Sequence, residues 1–251
     1  MEFRKIFDTI PEQFDRWRPR YCAELFAELI AYAEIGPGKA VLELGPGTGQ
    51  ATDPILHTGC EYCAIELGEH LTAAMLRKYG AFPNFSILND DFITMTGGKT
   101  FDVIYSAATI SGSRGIAFTK TFDLLKPGGT LAMMRTQGDY KTPNEALYDQ
   151  SGVYAAYFKP EAAYVYKQGG FPYANAPLYG FTGFEERRYY GKREFNAEEY
   201  VSFVGTHCDH IVLPEPYRSR FFDGLRKAVE DAGNRIVFLD THLLDLAKKP
   251  F

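Results

Sequence analysis

The sequence predicts an α/β fold, a doubly wound and mostly parallel sheet with helices on both faces. Three observations carry this. Ala40–Leu44 is a five-residue apolar run that ends in a bend built on Gly45, Gly47 and Gly49. Further strand-like runs at 62–67, 85–89, 100–106 and 130–135 alternate with stretches of helical apolar spacing, the pattern of βαβ units. Finally, Lys126-Pro127-Gly128-Gly129 stops a helix and turns the chain into the next run. Proline cannot continue a helix, and paired glycines allow a tight turn.

Taken in order, Cys22–Ala33 is an amphipathic helix, with Leu25, Phe26, Leu29 and Ile30 at helical spacing. After the glycine bend, Gln50–His57 is expected as a short helix that tolerates Pro54 in its first turn, with Asp53 as N-cap and Thr58-Gly59 as stop. Tyr62–Leu67 is the second strand. Glu69–Tyr79 is the next helix, with Leu71, Met75 and Leu76 as its apolar stripe, and Phe85–Asn89 the third strand. Thr100–Ser106 is the fourth strand, Arg114–Leu125 a helix and Thr130–Arg135 the fifth strand. Phe184–Phe195 is the sixth strand. Ala197–Gly205, capped by Asn196, and Tyr217–Ala232 are helices, and Arg235–Lys249 is a last, antiparallel strand with a hairpin partner.

At 251 residues the chain suits one α/β domain with insertions, or one domain plus a small cap. A net charge of −5 argues against a nucleic-acid-binding surface. Four cysteines make no disulfide framework in a chain this long, which predicts a reducing, cytoplasmic setting. Cys60 and Cys63 enter a strand, not a helix N-terminus, so they read as packing residues. No run approaches the ~20 apolar residues of a membrane span, and no membrane partner is expected.

Glycine admits backbone turns that side chains forbid and lets a ligand approach closely. A helix N-terminus behind such a bend offers free N–H groups to an anion. A dinucleotide fingerprint, G-x-G-x-x-G, would place its third glycine at Gln50, whereas here the glycines run G-x-G-x-G behind Glu43. Glu66, at the end of the second strand, can accept hydrogen bonds from both ribose hydroxyls of a nucleoside. That chemistry alone fits either of two nucleoside cofactors.

The segment Val41-Leu42-Glu43-Leu44-Gly45-Pro46-Gly47-Thr48-Gly49 resembles motif I of the class I S-adenosylmethionine (SAM)-dependent methyltransferases. The Leu-Leu-Lys-Pro-Gly-Gly-Thr-Leu turn and the Arg-Pro-x-Tyr step at 18–21 resemble the same family. The resemblance implies a Rossmann-like, seven-stranded sheet with an antiparallel last strand and an inserted helical cap. It implies SAM as cofactor, S-adenosyl-L-homocysteine as product and a small-molecule acceptor. Carried over residue by residue, the cofactor-binding set is Glu43, Gly45, Pro46, Gly47 and Gly49 in the bend, and Glu66 and Leu67 on the ribose. Asp91 and Phe92 take the adenine, with Asp90 as the alternative carboxylate; Ser106 and Ala107 pass beside the sulfur; Arg18 and Tyr21 lie at the methionine end.

The implied organisation is 1–37 as an N-terminal helical segment over the cofactor, 38–136 as the SAM-binding core, 137–181 as an aromatic-rich cap and 182–251 as the part completing the sheet. In the cap, Tyr140, Tyr148, Tyr154, Tyr157, Phe158, Tyr164, Tyr166, Phe171, Tyr173 and Tyr179 crowd together, with Asn144–Phe158 as its clearer helix. Such rings either line an acceptor pocket or pack the insertion or a homodimer contact. Many family members place a catalytic acid, amide or histidine after the fourth strand, whereas this chain has Ala107-Ala108-Thr109-Ile110-Ser111. The catalytic residue is therefore unassigned, with His207, His210 and Tyr140 as candidates and no metal expected. Two other readings remain. A nicotinamide-dependent oxidoreductase shares the sheet and the ribose acid but lacks a Tyr-x-x-x-Lys site, and a SAM-binding protein without turnover would bind but not transfer.

Overall fold

The structure, a computed structural model, describes residues 3–110, 114–159 and 172–251. The expected pocket residues Tyr164, Tyr166 and Phe171, and Ser111, lie outside the described residues.

Seven strands form one sheet in the order β3-β2-β1-β4-β5-β7-β6. They are β1 (Ala40–Leu44), β2 (Glu61–Glu66), β3 (Phe85–Asn89), β4 (Phe101–Ala107), β5 (Leu125–Lys141), β6 (Thr182–Phe195) and β7 (Ile236–Lys248). Strands β1 to β5 are parallel, and the last strand runs antiparallel. This is the Rossmann-like methyltransferase architecture the motifs imply. Helix α1 (Pro11–Trp17) precedes the sheet in sequence, and α2 (Ala23–Ala33), α3 (Asp53–Leu56), α4 (Glu69–Tyr79) and α5 (Arg114–Leu124) accompany the parallel half. Helices α6 (Gln150–Tyr157), α7 (Ala197–Val204), α8 (Cys208–Ile211) and α9 (Tyr217–Asp231) follow.

β1 is buried at all five positions because it lies between β2 and β4 with both faces covered. That is why it reads as a continuous apolar run. Alternate residues serve opposite faces. Val41, Tyr62, Ala64, Val103 and Tyr105 join one core with Leu25, Leu29 and Met75, whereas Leu42, Leu44, Ile65 and Ile104 join another with Phe118 and Phe181.

Several expected boundaries shift. The helix expected over Gln50–His57 is only four residues, and Thr52, not Asp53, precedes it. Pro54 fits only the first turn, so the preceding residues stay in turns. Leu76 is 52% exposed, so the stripe of α4 runs through Leu71, Met75 and Tyr79 instead. The helix expected from Asn144 begins at Gln150, where Asp149 caps it by accepting from the Gly152 N–H (2.8 Å). β5 starts at Leu125 and runs to Lys141. Its pairing with β4 jumps from Phe101–Leu125 to Val103–Thr130, so Lys126–Gly129 form an excursion within the strand. β7 has β6 beside it, but α7, α8 and α9 intervene in sequence, so the two are not a tight hairpin.

The chain groups into two compact units. One comprises residues 19–137, 169–189 and 241–251 and holds the two cores above. The other comprises 1–18, 138–168 and 190–240. Its own core is Tyr200, Phe203, Leu213, Phe221, Leu225 and Ile236. Residues 137–181, expected as one insertion, are thus divided: Tyr148, Tyr154 and Tyr157 pack in the second unit, while Tyr173 and Tyr179 pack in the first. Among the described residues no helix is long and apolar enough to cross a membrane.

Candidate functional site

The bend after β1 has positive φ at all three glycines, 59° at Gly45, 62° at Gly47 and 94° at Gly49. A side chain would be strained at each. At Gly49 there is also no room, because a Cβ would lie 2.7 Å from the Tyr79 ring. Two cations brace the bend through its carbonyls: Lys78 Nζ donates to Thr48 O (2.7 Å) and Arg20 Nη1 to Gly49 O (3.2 Å). Pro46, between the first two glycines, is buried.

Glu66 ends β2 with its carboxylate already aimed. Oε2 accepts from the Gly47 N–H (3.0 Å) and Oε1 from the Gly68 N–H (2.9 Å). These bonds tie the strand end to the glycine bend on one side and to the start of α4 on the other. A carboxylate offers about four acceptor positions, and two of those of Glu66 are used to fix it at the strand end. Leu67, beside it, is half-buried.

Glu43 sits elsewhere than among ligand-facing groups. It is 1% exposed. The sheet register explains why: Glu43 lies opposite Tyr105 on β4 and opposite Ala64 on β2, so Tyr62, two residues before Ala64, shares its face. Its Oε2 accepts from Tyr105 Oη (2.7 Å), Thr52 Oγ1 (2.7 Å) and Tyr62 Oη. Burial raises its carboxyl above the ordinary value of 4.5, against the lowering effect of the three donors. Glu43 therefore anchors Thr52, where the chain leaves the glycine bend, to the two neighbouring strands.

At the end of β3, Asp90 is exposed and its Oδ1 accepts from the Asp91 N–H (2.7 Å), while Asp91 Oδ1 accepts from the Ile93 N–H (2.8 Å). Both carboxylates shape the turn that follows. Phe92 is half-buried under Lys120 Nζ, 5.4 Å from the ring centre. Lys120 also holds the Ile93 carbonyl (3.2 Å) and the Met95 carbonyl. At the end of β4, Ser106 is fully buried and its Oγ accepts from the Ile110 N–H (3.0 Å). Ala107 is half-buried, and Ala108 adopts φ 62°. That left-handed conformation costs an alanine about 1–2 kcal/mol, and strain of this kind concentrates at functional sites.

Of the Arg-Pro-x-Tyr step, Arg20 rather than Arg18 reaches the glycine bend. Arg18 lies in the other unit, over the rings of Phe7 and Phe14 at 5.7 and 5.5 Å. Tyr21 packs against Phe26 and the His242 ring. Sequence reasoning missed Arg20 and Lys78; a second arginine two residues after Arg18 was the one available signal.

The three catalytic candidates fall in the second unit. Tyr140 is 43% exposed and packs edge-on against Tyr148. His207 hydrogen-bonds the Val204 carbonyl through Nδ1 (3.0 Å); burial first, then Arg18 and His210, push its pKa down to about 4. His210 is buried with both ring nitrogens engaged, Nδ1 on Asp209 Oδ1 (2.7 Å) and Nε2 on Tyr154 Oη (2.8 Å). Among the described residues, no three His, Cys, Asp or Glu side chains are grouped to hold a metal.

Residues 14–165 match a family model described as a methyltransferase domain, more than half of the chain. Among curated proteins, the ribosomal RNA small subunit methyltransferase A of Thermosynechococcus vestitus is 37% identical over 71 residues, 28% of this chain and 26% of that protein. That of Dehalococcoides mccartyi strain 195 is 32% identical over 66 residues, 26% and 23% respectively. These matches span only about a quarter of the relatives' own length. Among solved structures, Haemonchus contortus phosphoethanolamine N-methyltransferase 2 in complex with SAM superposes with a TM-score of 0.60 at 16% identity, over 100% of this chain and 60% of that one. The YcgJ protein of Bacillus subtilis gives 0.60 at 12%, over 92% and 100%. The family match and the shared sheet order together make this chain a member of the class I SAM-dependent methyltransferases, with SAM as its cofactor.

Proposed function

We propose that the protein transfers the SAM methyl group to a small-molecule acceptor. Bound SAM supplies an activated methyl on a sulfonium, so the protein has chiefly to hold and align. The observation that carries the reading is Glu66, fixed by Gly47 and Gly68 at the end of β2, beside the glycine bend that follows its neighbour β1. In this reading Glu66 takes the ribose hydroxyls. Gly45, Pro46, Gly47 and Gly49 lie under the methionine part, with Glu43 supporting the bend from the core. Asp91 or Asp90 receives the adenine amino group and Phe92 packs on its ring. Leu67 lines the ribose, and Ser106 and Ala107 form the wall beside the sulfur. Tyr21 and Arg20, the latter in place of Arg18, close the methionine end.

No general base is assigned. Alignment alone supplies several kcal/mol in such displacements, and a base is needed only for a poor nucleophile. The His207 pKa is pushed down to about 4 and both ring nitrogens of His210 are engaged, so neither is assigned as the base. The small-molecule reading is supported by the net charge of −5. It is further supported by a neighbour crystallised with phosphomonomethylethanolamine and S-adenosylhomocysteine. Four free cysteines suit a reducing cytoplasm.

The ribosomal RNA relatives make RNA the competing acceptor. Protein incubated with methyl-labelled SAM and either a small-metabolite extract or purified ribosomal RNA is expected to label the small-metabolite fraction. Label in RNA alone overturns the small-molecule acceptor. Cofactor binding with no label in either supports binding without turnover.

A further inference from the structure

Parallel pairing sets the ends of β1 and β4 side by side, with Leu44 opposite Ser106. One residue further on, two main-chain carbonyls converge. Gly45 O and Ala107 O both accept from the Thr109 hydroxyl, at 2.9 and 3.3 Å. A hydroxyl has one proton to give, so Thr109 serves the Gly45 carbonyl well and the Ala107 carbonyl poorly. The side chain is itself exposed, so core packing does not put it there. The chain reaches this position through the left-handed Ala108 (φ 62°). Glycine 45 makes the approach possible, since a Cβ at that position would lie 2.3 Å from Thr109 Cγ2 and 2.8 Å from its Oγ1. An exposed hydroxyl is thus held, over a strained residue and against a glycine, between two main-chain carbonyls.

We propose that Thr109 is a placeholder, holding with its hydroxyl the seat that these two carbonyls offer to the α-ammonium of the bound cofactor. The inference rests on the cofactor site described above. An ammonium has three N–H donors and a full charge, so it serves both carbonyls where a hydroxyl serves one. To admit it, Thr109 must rotate away and give up its own bonds. An interaction made only in the free state opposes binding. Thr109 therefore weakens affinity for ligands that carry an ammonium and leaves alone those that lack one. It also keeps the Gly45 carbonyl paired between binding events.

The test compares two ligands on three proteins by calorimetry. S-adenosylhomocysteine carries the ammonium; 5′-methylthioadenosine has the same nucleoside and thioether but no amino-acid end. Losing one neutral hydrogen bond in the free state predicts that Thr109→Ala binds S-adenosylhomocysteine roughly three- to ten-fold more tightly than the unsubstituted protein. 5′-Methylthioadenosine should bind both alike, which also reports that the variant's nucleoside site is intact. Thr109→Ser, which restores the hydroxyl, should return to the original affinity. Unchanged or weaker binding of S-adenosylhomocysteine by Thr109→Ala, an equal change for both ligands, or a Thr109→Ser that behaves like alanine overturns the placeholder while the cofactor site stands. Failure of the unsubstituted protein to bind either ligand overturns the cofactor site itself.

Discussion

Glu43 shows how a single carboxylate can be read correctly as important and still be given the wrong neighbours. Its position before the glycines suggests a ligand contact, but a strand residue in phase with Val41 must face the core. There it needs donors, and Tyr62, Tyr105 and Thr52 supply them, all to Oε2, while Oε1 has no hydrogen-bond partner among the described residues. Two tyrosines in phase on the flanking strands were the available signal, but only pairing register turns that pattern into contacts. A buried carboxyl held above its ordinary pKa favours the protonated form. Its contribution to stability is full below 4.5 and is lost as pH rises through the raised value. Glu43→Gln imitates the neutral acid and does not titrate, so urea unfolding is expected to show its stability relative to the original protein rising between pH 5 and pH 8. Glu43→Ala removes the acceptor of three buried hydroxyls and should cost about 3–5 kcal/mol at either pH. A constant difference between the glutamine variant and the original protein across that range would mean that Glu43 does not titrate there.

At the scale of elements, the strands and helices around β1 were legible because their periodicity and their stop signals agree. The expected bounds of β1, β3 and α4 coincide with the observed ones. The capping box of α7, in which Asn196 and Glu199 each accept from the other's N–H at 3.0 Å, follows from the sequence Asn-Ala-Glu-Glu. What was not legible depends on long-range closure. The Arg20 and Lys78 contacts with the glycine bend span 29 and 30 residues, and no local pattern encodes them. The His207–His210 segment is a similar case. Its residues suggested chemistry, and the structure makes His207 the half-buried residue preceding α8, its ring packed edge-on against Phe203. With its pKa lowered from 6.5 to about 4, His207 is neutral in the folded protein near pH 7. The unfolded chain binds its proton more readily, so stability is full above pH 6.5 and falls as pH drops toward 4. The loss from this group is at most about 3 kcal/mol. Denaturant midpoints measured from pH 7.5 to 4.5 should fall more steeply for the original protein than for His207→Gln. Parallel falls would mean that His207 is not held neutral.

For the whole molecule, the proposed site predicts that SAM stabilises the chain through Glu66 and the glycine bend together. Both are braced before any ligand arrives: Glu66 by two N–H groups, the bend by Lys78 and Arg20. A site organised in this way loses little conformational freedom on binding. Its ligand should therefore raise the unfolding temperature by mass action, by about 2.7 kcal/mol at a hundred times Kd. In a chain of this size that corresponds to about 5–10 °C. S-adenosylmethionine and S-adenosylhomocysteine are expected to give a shift of this order, and NAD none, because Gln50 stands where a dinucleotide fingerprint needs glycine. Glu66→Ala discriminates further. It removes the carboxylate proposed to accept from the ribose hydroxyls and should weaken SAM binding by about 1–3 kcal/mol, erasing much of the shift at the same ligand concentration. A Glu66→Ala protein that folds and is stabilised by SAM as fully as the original would remove the ribose role from Glu66. A shift with NAD in place of SAM would put the specificity of the glycine bend in the other class of nucleoside cofactors.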